Sequence, residues 1–574
     1  MARTGSISIT TTSQNTSNLT SAITITGTIT TTGDSYRGDH RTGTVTVTQG
    51  GTTIHTSSFT SGAPENSTTT LFTINLTVNH NSDGTSGTIV ASYNYDSGWC
   101  TASQSTTLNP FYFIKYNANG GSGVPSAQTK KHGTNLTLSS TKPTRTGYAF
   151  LGWNSSSAAT SSQYNAGGTY SNNSSTTLYA VWKPNVLTVN YYSNYADYCT
   201  FEGNPVSVNS SSNVLVTTEF FDYNQKYEYG LANVQNTGFL YLSRTGYTPT
   251  GYWGTTTSGG TLVDQMTSFS TGQALAEALG KDLSSGSVSI NVYAQWDENY
   301  LTVNYYSNYA TSYGGTYDAE NIVDNNNVLV YTRTYYYDND YENGLLNYKE
   351  IDSSIYMFRT GYTATGDWGT STDGGTLISQ SDNTLNTGKK IADAFGKDLT
   401  SGNASVNVYA QWNVNQLIVN YYSNYATAYE GAELIDTTVS NNNVYLCTRK
   451  YDYDASYSNG LLNYADEGEA LYMYRTGYFA TENWGTEPDG GNLVHQSNSY
   501  DTGQKLAIAL GTSIENGDVT ISVYPQWEPA NVAYYNNDGT YVLCNTYGKV
   551  DGSWQPMLFY GKIAGDWKRS IIEE

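Results

Sequence analysis

The stretch that decides the fold is Val189-Asn190-Tyr191-Tyr192-Ser193-Asn194-Tyr195-Ala196, because the same eight residues return twice further along the chain. They recur at 303–310 and at 419–426, at intervals of 114 and 116 residues. Self-similarity at a nearly fixed period is the sequence signature of tandem structural units. The sequence therefore predicts three copies of one module in this part of the chain.

Each copy carries three further landmarks in the same order. These are an Arg-Thr-Gly-Tyr segment, a Trp six residues after its Tyr, and a closing strand that ends in Gln-Trp. They fall at Arg244–Tyr247, Arg359–Tyr362 and Arg475–Tyr478, at Trp253, Trp368 and Trp484, and at Gln295-Trp296, Gln411-Trp412 and Gln526-Trp527. A small module has little core, and one Trp supplies much of its buried area. We expect these Trp residues to anchor cores rather than to bind ligands.

A short helix is predicted in each long copy. A Thr suited to the N-cap is followed nine residues later by a Gly suited to the position after the C-cap. The Thr residues are Thr271, Thr387 and Thr502, and the Gly residues are Gly280, Gly396 and Gly511. Apolar pairs four residues apart lie between them, at Leu275/Leu279, Ile391/Phe395 and Leu506/Leu510. One apolar stripe of this kind lets a helix pack on a sheet.

A shorter relative precedes the long copies. Its landmarks are Asn117-Ala118-Asn119-Gly120-Gly121, Arg145-Thr146-Gly147-Tyr148-Ala149-Phe150-Leu151-Gly152-Trp153 and Leu178-Tyr179-Ala180-Val181-Trp182. This segment resembles the Listeria–Bacteroides repeat, the internalin B-repeat family. The long copies match the family in outline only, because they carry an insertion before Arg-Thr-Gly-Tyr and a helix before the closing strand. The resemblance implies a small β-grasp-like module that serves as a spacer or binding unit on surface proteins and phage structural proteins.

The first 110 residues have a different pattern, in which Ser or Thr alternates with apolar residues. This period of two is clear at 6–10, 22–26, 44–48 and 72–78. Each segment reads as a strand with one apolar face, and short strands at this spacing indicate an antiparallel sandwich. The region also resembles the N-terminal part of phage minor structural proteins, which implies a particle-docking domain.

The C-terminal residues change character again. Asn536-Asn537-Asp538-Gly539 is a hairpin signal, and two related units follow, Tyr547–Trp554 and Tyr560–Trp567. These units resemble the short hairpins that close many phage tail proteins. If any surface aromatics bind a ligand, we expect Tyr547, Trp554, Tyr560 and Trp567 to do so, although hairpin core is the competing interpretation.

The predicted fold is mainly β and multidomain, with an N-terminal antiparallel β-sandwich, four tandem β-grasp-like repeat modules (three with a short helix) and C-terminal β-hairpins. The predicted boundaries are 1–110 for the sandwich, 111–184 for the short repeat, 185–298, 299–414 and 415–529 for the long copies, and 530–574 for the hairpin module.

Composition and charge narrow the classes of function. The formal net charge is −22, and an anionic surface repels phosphate backbones, so nucleic-acid binding is not expected. No apolar run is long enough to span a membrane, and residues 1–5 begin no secretory signal. The four Cys are far apart and suggest neither a zinc site nor a disulfide framework. A surface-type composition without an export signal favours a virion part that is assembled in the host cytoplasm and released by lysis.

No catalytic motif is present, and none of the five His lies between His132 and His495, so no enzyme activity is expected. No cofactor is predicted. The acids Asp338, Asp340, Asp452 and Asp454 have the Asp-x-Asp spacing that suits calcium. Six residues before the equivalent Gly230, Gly344 and Gly460 the copies have Asn224, Asp338 and Asp454, so the acids are not kept in all copies, which favours solvated loops. Calcium on one copy alone stays open.

The leading hypothesis is a non-enzymatic bacteriophage virion structural protein, a tail or tail-tip fibre that attaches to the host surface. Its partners would be other virion proteins through the N-terminal domain and a cell-wall or capsule glycan. Tyr and Trp rings would stack on the sugars. We also expect a homo-oligomer, with avidity from many copies. The alternatives are a head or neck fibre or decoration protein that acts as a spacer, and a bacterial cell-surface adhesin.

Overall fold

The computed structural model describes residues 2–33, 39–314, 321–322, 326–342, 344–353, 355–430 and 442–530, together with strand backbone within 532–569. The chain divides into two compact units. The first is Met1–Arg244 with Pro249–Trp296, and the second is Thr245–Thr248 with Asp297–Glu574. The mainly β, multidomain fold that the sequence predicts is confirmed.

The N-terminal region of the first unit contains two antiparallel sheets around one core. Its strands are β1 (Ala2–Asn15), β2 (Thr20–Thr32), β3 (Arg41–Gln49), β4 (Thr52–Ser61), β5 (Thr68–Asn79), β6 (Thr88–Tyr95) and β7 (Cys100–Thr107). The sheet orders are β1-β2-β5 and β4-β3-β6-β7. Alternation buries one side of each strand, so Ile25, Val45 and Ile89 from three strands meet in the same core. The predicted sandwich is therefore present.

The short repeat forms a four-stranded sheet in the first unit. Its strands are β8 (Phe111–Asn117), β9 (Gln128–Lys131), β10 (Leu136–Thr137), β11 (Tyr148–Asn154), β12 (Thr169–Tyr170) and β13 (Thr176–Pro184). The sheet order is β11-β13-β8-β9, with β8 and β13 parallel, and β10 pairs with β12. The first and last strands of the repeat are therefore central neighbours.

The long copies are built from the following elements. The first has β14 (Val186–Tyr192), β15 (Tyr198–Phe201), β16 (Asn204–Pro205), β17 (Leu215–Asp222), β18 (Gln235–Asn236), β19 (Leu240–Ser243), β20 (Tyr247–Thr256), β21 (Gly259–Asp264), α1 (Gly272–Ala278) and β22 (Val288–Glu298). The second has β23 (Tyr300–Tyr306), β24 (Ser312–Gly314), β25 (Asn321–Ile322), β26 (Leu329–Tyr336), β27 (Tyr356–Phe358), β28 (Tyr362–Ser371), β29 (Gly374–Ser379), α2 (Gly388–Ala394) and β30 (Ala404–Val414). The third has β31 (Gln416–Tyr422), β32 (Ala428–Glu430), β33 (Tyr445–Asp452), β34 (Tyr472–Tyr474), β35 (Tyr478–Glu487), β36 (Gly490–His495), α3 (Gly503–Ala509) and β37 (Val519–Pro529).

The five-stranded sheets of the long copies share one strand order. It is β17-β14-β22-β20-β21 in the first copy, β26-β23-β30-β28-β29 in the second and β33-β31-β37-β35-β36 in the third. In each sheet the first and last strands of the copy are parallel neighbours, as in the short repeat. Parallel neighbours need a crossover connection, and each crossover includes the helix. The insertion before Arg-Thr-Gly-Tyr forms a small separate sheet, such as β16-β15-β19-β18.

The three helices begin and end where the sequence predicts. The side chain of Thr387 caps α2 by accepting a hydrogen bond from the Lys390 N–H at 3.3 Å. Thr271 and Thr502 cap α1 and α3 in the same way. Gly396 follows the C-cap with a φ of +66°, a conformation that glycine adopts without steric cost. Ile391 and Phe395 are buried against the second copy's core, so the apolar stripe is confirmed as packing.

Replacing Thr387 with Ala should lower the free energy of unfolding of the second long copy by about 1 kcal/mol, because one helix N–H loses its acceptor. Thr387→Ser keeps the hydroxyl and should retain most of that stability. Hydrogen exchange at α2, measured by mass spectrometry, would compare the two variants. Equal exchange in the Ala and Ser variants would contradict the capping role.

Three hairpins follow the third long copy. Their strands are β38 (Val532–Asn537), β39 (Thr540–Asn545), β40 (Tyr547–Val550), β41 (Ser553–Pro556), β42 (Tyr560–Ile563) and β43 (Asp566–Arg569), paired in that order. The turn residues Asp538 and Gly539 of the predicted hairpin signal lie outside the described residues.

Candidate functional site

Four Trp residues at equivalent repeat positions are fully buried. Trp153, Trp253, Trp368 and Trp484 are each 0% exposed. In the second copy the Trp368 ring contacts Tyr305 and Tyr348 with ring centroids 4.6 and 4.7 Å away. Its indole N–H donates to the Leu346 carbonyl at 2.7 Å. The predicted role of these residues as core anchors is confirmed, and none of the four presents a ring face to a ligand.

The Trp residues of the closing strands are half-buried and mostly bonded locally. Trp182, Trp296 and Trp527 donate their indole N–H to a backbone carbonyl at 2.9 to 3.0 Å. The buried indole N–H groups of Trp153 and Trp412 have no hydrogen-bond partner among the described residues. The closing Trp residues therefore also belong to the fold.

The four aromatic residues predicted as ligand contacts lie in the last two hairpins. Backbone pairing sets Tyr547 opposite Pro556, with Lys549 opposite Trp554. In the next hairpin Tyr560 pairs with Arg569 and Lys562 with Trp567. The two hairpins thus have the same register, while the side chains of Tyr547, Trp554, Tyr560 and Trp567 lie outside the described part of the structure.

The acids considered for calcium make hydrogen bonds within the second unit. Asp338 accepts a bond from the Tyr247 hydroxyl at 2.9 Å, and Asp454 accepts one from the Tyr362 hydroxyl. Asp452 accepts a bond from the Gln416 side chain at 2.8 Å. Asp340 lies at an isolated β-bridge with Thr387. Across the described ranges, no group of three or more His, Cys, Asp or Glu side chains is placed to hold a metal ion.

A repeated joint connects successive modules within each unit. In the first unit β13 ends at Pro184 and β14 begins at Val186, so Asn185 alone connects the short repeat to the first long copy. In the second unit Asn415 alone separates β30 from β31. Both Asn side chains are buried. A connection of one buried residue has none of the conformational freedom of a flexible linker.

The joint between the second and third long copies is held by a chain of backbone hydrogen bonds. Gly361, from Arg-Thr-Gly-Tyr, donates its N–H to the Glu515 carbonyl at 2.8 Å and accepts from the Asn415 N–H at 2.9 Å. The Asn415 carbonyl accepts from the Tyr453 N–H at 2.9 Å. The Asn415 side chain donates to the Ile514 carbonyl at 2.9 Å. Gly361 of one copy is thus bonded both to the connecting residue Asn415 and to the loop of the next copy that contains Glu515.

The glycine at this joint is required by close packing as well as by conformation. Gly361 has a φ of +79°, and a Cβ placed on it would lie 2.3 Å from Cδ1 of the Tyr453 ring. In the first unit Gly147 has a φ of +76°, and its Cβ would lie 2.3 Å from the Tyr223 ring. The Asn185 N–H donates to Gly147 as Asn415 does to Gly361. The joint is therefore the same structure in both units.

Side chains add polar contacts to the second-unit joint. The Thr363 hydroxyl donates to Oδ1 of Asn415 at 2.6 Å. The Arg359 guanidinium lies 3.7 Å from the centre of the Tyr362 ring, which is a cation–π contact within Arg-Thr-Gly-Tyr. Burial, followed by the hydrogen bond to Asp454, raises the pKa of the Tyr362 hydroxyl. The hydroxyl therefore stays protonated and remains a donor across the joint at neutral pH.

The Asn and Tyr residues of the joint are the functional residues that sequence reasoning missed. Asn185 and Asn415 immediately precede the first strand of a long copy, and Tyr223 and Tyr453 immediately follow the strand that pairs with it. Comparing the positions around the eight-residue repeat shows that both types are retained between copies. That signal does not reveal their partners, because each bonds a segment of the preceding module.

Comparison with known families identifies one part of the chain. The family model of the Listeria–Bacteroides repeat domain matches residues 112–181, which confirms the resemblance inferred for the short repeat. No curated protein matches the chain. Among solved structures, the TIE protein of Bacillus anthracis is similar to this chain at 7% sequence identity, with 91% of this chain and 75% of that chain covered and a TM-score of 0.19. None of the helices in the described part of the chain is long and apolar enough to cross a membrane.

Proposed function

We propose that this protein is a non-enzymatic structural component of a bacteriophage particle, a tail or tail-tip fibre whose modules hold a terminal host-binding segment at a set spacing. The repeated joint is the observation that carries the proposal. A protein that needed flexible modules would connect them with polar linkers, whereas here single buried Asn residues do so.

The joint supports a spacer function on energetic grounds. The two side-chain hydrogen bonds of Asn415 are buried or half-buried, and opening the joint would leave this side chain without the partners that offset its burial. The buried Asn also fixes register, because only the correct docking places carbonyls opposite its amide. Such a joint keeps successive modules at a set distance under load.

The terminal hairpins support the attachment part of the proposal. They resemble phage tail hairpins in sequence, and the structure gives both the same strand register. Aromatic residues supply large contact area at low cost in conformational entropy, which suits weak glycan binding that many copies per particle would strengthen. A head or neck fibre would contain the same joint. The location of the protein on the particle therefore decides between a tail fibre and a head or neck fibre.

Immunogold labelling of particles released from the strain that encodes the protein tests the proposal. We expect label at the tail or its tip. Label confined to the head would favour the spacer alternative, and particles without label would overturn the virion assignment.

A second measurement tests attachment. The full-length protein should bind host cells, and the double variant Trp554→Ala, Trp567→Ala should bind at least about tenfold more weakly if two stacked rings are lost. Trp99→Ala, in the N-terminal region, is the control and should bind as the parent does. Absence of binding by the unaltered protein would refute the attachment role while leaving the virion assignment to the labelling result.

A further inference from the structure

The first long copy has an apolar cleft with exposed aromatic residues. The cleft has a volume of about 680 Å³, which is in the range of small-molecule sites in proteins. Three large side chains at its margin are mostly in solvent: Phe220 and Tyr229 are each 68% exposed and Met266 is 58% exposed. Exposed apolar side chains that are grouped at one cleft are typical of a ligand-binding groove.

The second and third long copies, here called the sibling copies, carry the opposite charge at one strand position of the corresponding surface. Glu219 pairs with Val189, and the equivalent partners of Val303 and Val419 are Arg333 and Arg449. In the second copy the Arg333 guanidinium lies 4.9 Å from the centre of the Tyr335 ring and 5.4 Å from that of Tyr341. The second copy therefore supplies a cation to its own aromatic pair.

The first copy retains the aromatic pair but reverses the charge beside it. The rings of Phe221 and Tyr227 lie 4.8 Å apart, and those of Tyr335 and Tyr341 also lie 4.8 Å apart. Where the second copy has a guanidinium, the first has the Glu219 carboxylate, which accepts a hydrogen bond from the Tyr191 hydroxyl at 2.6 Å. No Lys or Arg is among the described residues that line the cleft. The aromatic pair thus faces a carboxylate in place of a cation.

Other residue differences between the first copy and its siblings enlarge the cleft and make its surface more apolar. Ala232 stands where the sibling copies have the buried Leu346 and Leu462. In each of the three copies the backbone carbonyl of this residue accepts a hydrogen bond from the indole N–H of the buried Trp. Phe220 stands where the siblings have Thr334 and Lys450, and Met266 where they have Ser381 and Ser497. The smaller residue deepens the cleft, and the larger ones extend its apolar wall.

We propose that this cleft of the first long copy binds an organic cation, an alkylammonium or alkylguanidinium group on an apolar body, between the Glu219 carboxylate and the aromatic rings. The cation takes the place that Arg333 fills in the second copy. Its charge meets the carboxylate and the ring faces, and its apolar body covers Phe220, Tyr229 and Met266. This site is independent of the proposed function of the chain.

The electrostatics of Glu219 agree with such a ligand. Burial raises the pKa of this carboxyl, and the hydrogen bond from Tyr191 offsets part of that rise. A bound cation would stabilise the ionised form and bring the pKa back towards its usual range. The binding test is therefore done at neutral pH, where a bound cation favours the ionised form of the Glu219 carboxyl.

Ligand-observed NMR titration of the full-length protein with phenethylammonium tests the proposal. We expect saturable binding, and at least about tenfold weaker binding of 2-phenylethanol, which has a similar body without the charge. Glu219→Arg introduces the residue of the sibling copies and should weaken phenethylammonium binding at least about tenfold. Ala232→Leu, also the sibling residue, should do the same by filling the cleft. Arg and Leu occupy these two positions in the second and third copies. Ala232→Leu leaves the hydrogen bond from Tyr191 to Glu219 in place, so its result does not depend on that bond.

Glu228→Gln is the matched control, because it removes an exposed acid on the same segment that does not line the cleft. It should bind within about twofold of the parent protein, since an exposed charge contributes little. Three results would each overturn the proposal: no saturable binding of phenethylammonium, equal binding of 2-phenylethanol, or a Glu219→Arg variant that binds as the parent does.

Discussion

Replacing Trp368 with Ala is expected to destabilise the second long copy by about 3–5 kcal/mol, because the ring is fully buried within the core of that copy and its removal leaves a large cavity. The substitution removes the ring contacts with Tyr305 and Tyr348 and leaves the Leu346 carbonyl without its donor. Hydrogen exchange followed by mass spectrometry would report the loss as faster exchange in peptides of residues 299–414.

Ile351→Ala is the control for Trp368→Ala. Ile351 belongs to the same copy but is 74% exposed, so its truncation should change stability by no more than about 0.5 kcal/mol. Exchange in the N-terminal sandwich should be unchanged in both variants, since that region has a core of its own. A loss below about 1 kcal/mol for Trp368→Ala would contradict the assignment of this Trp as the core anchor.

Substitution of the joint glycine has the second-largest expected effect. Gly361→Ala should cost about 1–3 kcal/mol more than Gly477→Ala, because the Cβ added at Gly361 would meet the Tyr453 ring, whereas no described aromatic ring lies near Gly477. The two glycines occupy the same position of Arg-Thr-Gly-Tyr and have φ values of +79° and +81°. At Gly477 no described atom lies within 4 Å of the added Cβ. Both variants carry the same backbone strain, so the difference between their stabilities reports the packing of the added Cβ against the Tyr453 ring.

Amide exchange at the joint would measure this difference. The N–H groups of Asn415 and Tyr453 donate within the joint, so their exchange should accelerate in Gly361→Ala and stay slow in Gly477→Ala. Equal exchange in the two variants would mean that packing against Tyr453 does not hold the copies together.

Much of the fold can be predicted from local sequence patterns. Alternation in segments such as Ala22–Thr26 identifies sandwich strands, and Thr387 with Gly396 brackets a helix. The burial of Trp368 and its equivalents follows from their recurrence at one position of a repeated module. These features depend on residues near one another in the chain, which is why the sequence is sufficient for them.

The joint and the cleft depend on contacts between distant residues. Gly361 meets Glu515 and Tyr453, and nothing around Gly361 in sequence identifies those partners. In the sequence, Glu219 looks like any other acid of a chain with a formal charge of −22. Strand pairing shows that it occupies the position of Arg333 and Arg449 in the second and third copies. The importance of Glu219 becomes clear only when the paired strands of the three copies are compared. The eight-residue repeat does not include this position.

An electron-spin distance measurement between the second and third long copies would show whether they are joined without a flexible linker. Spin labels carried by non-natural amino acids at Asp373 and Asp489, exposed and equivalent turn positions, would report the separation of the two copies. We expect one narrow distance distribution for the parent protein and a broader one for Gly361→Ala. A broad distribution in the parent protein would mean that the two copies move independently and that the joint does not hold them.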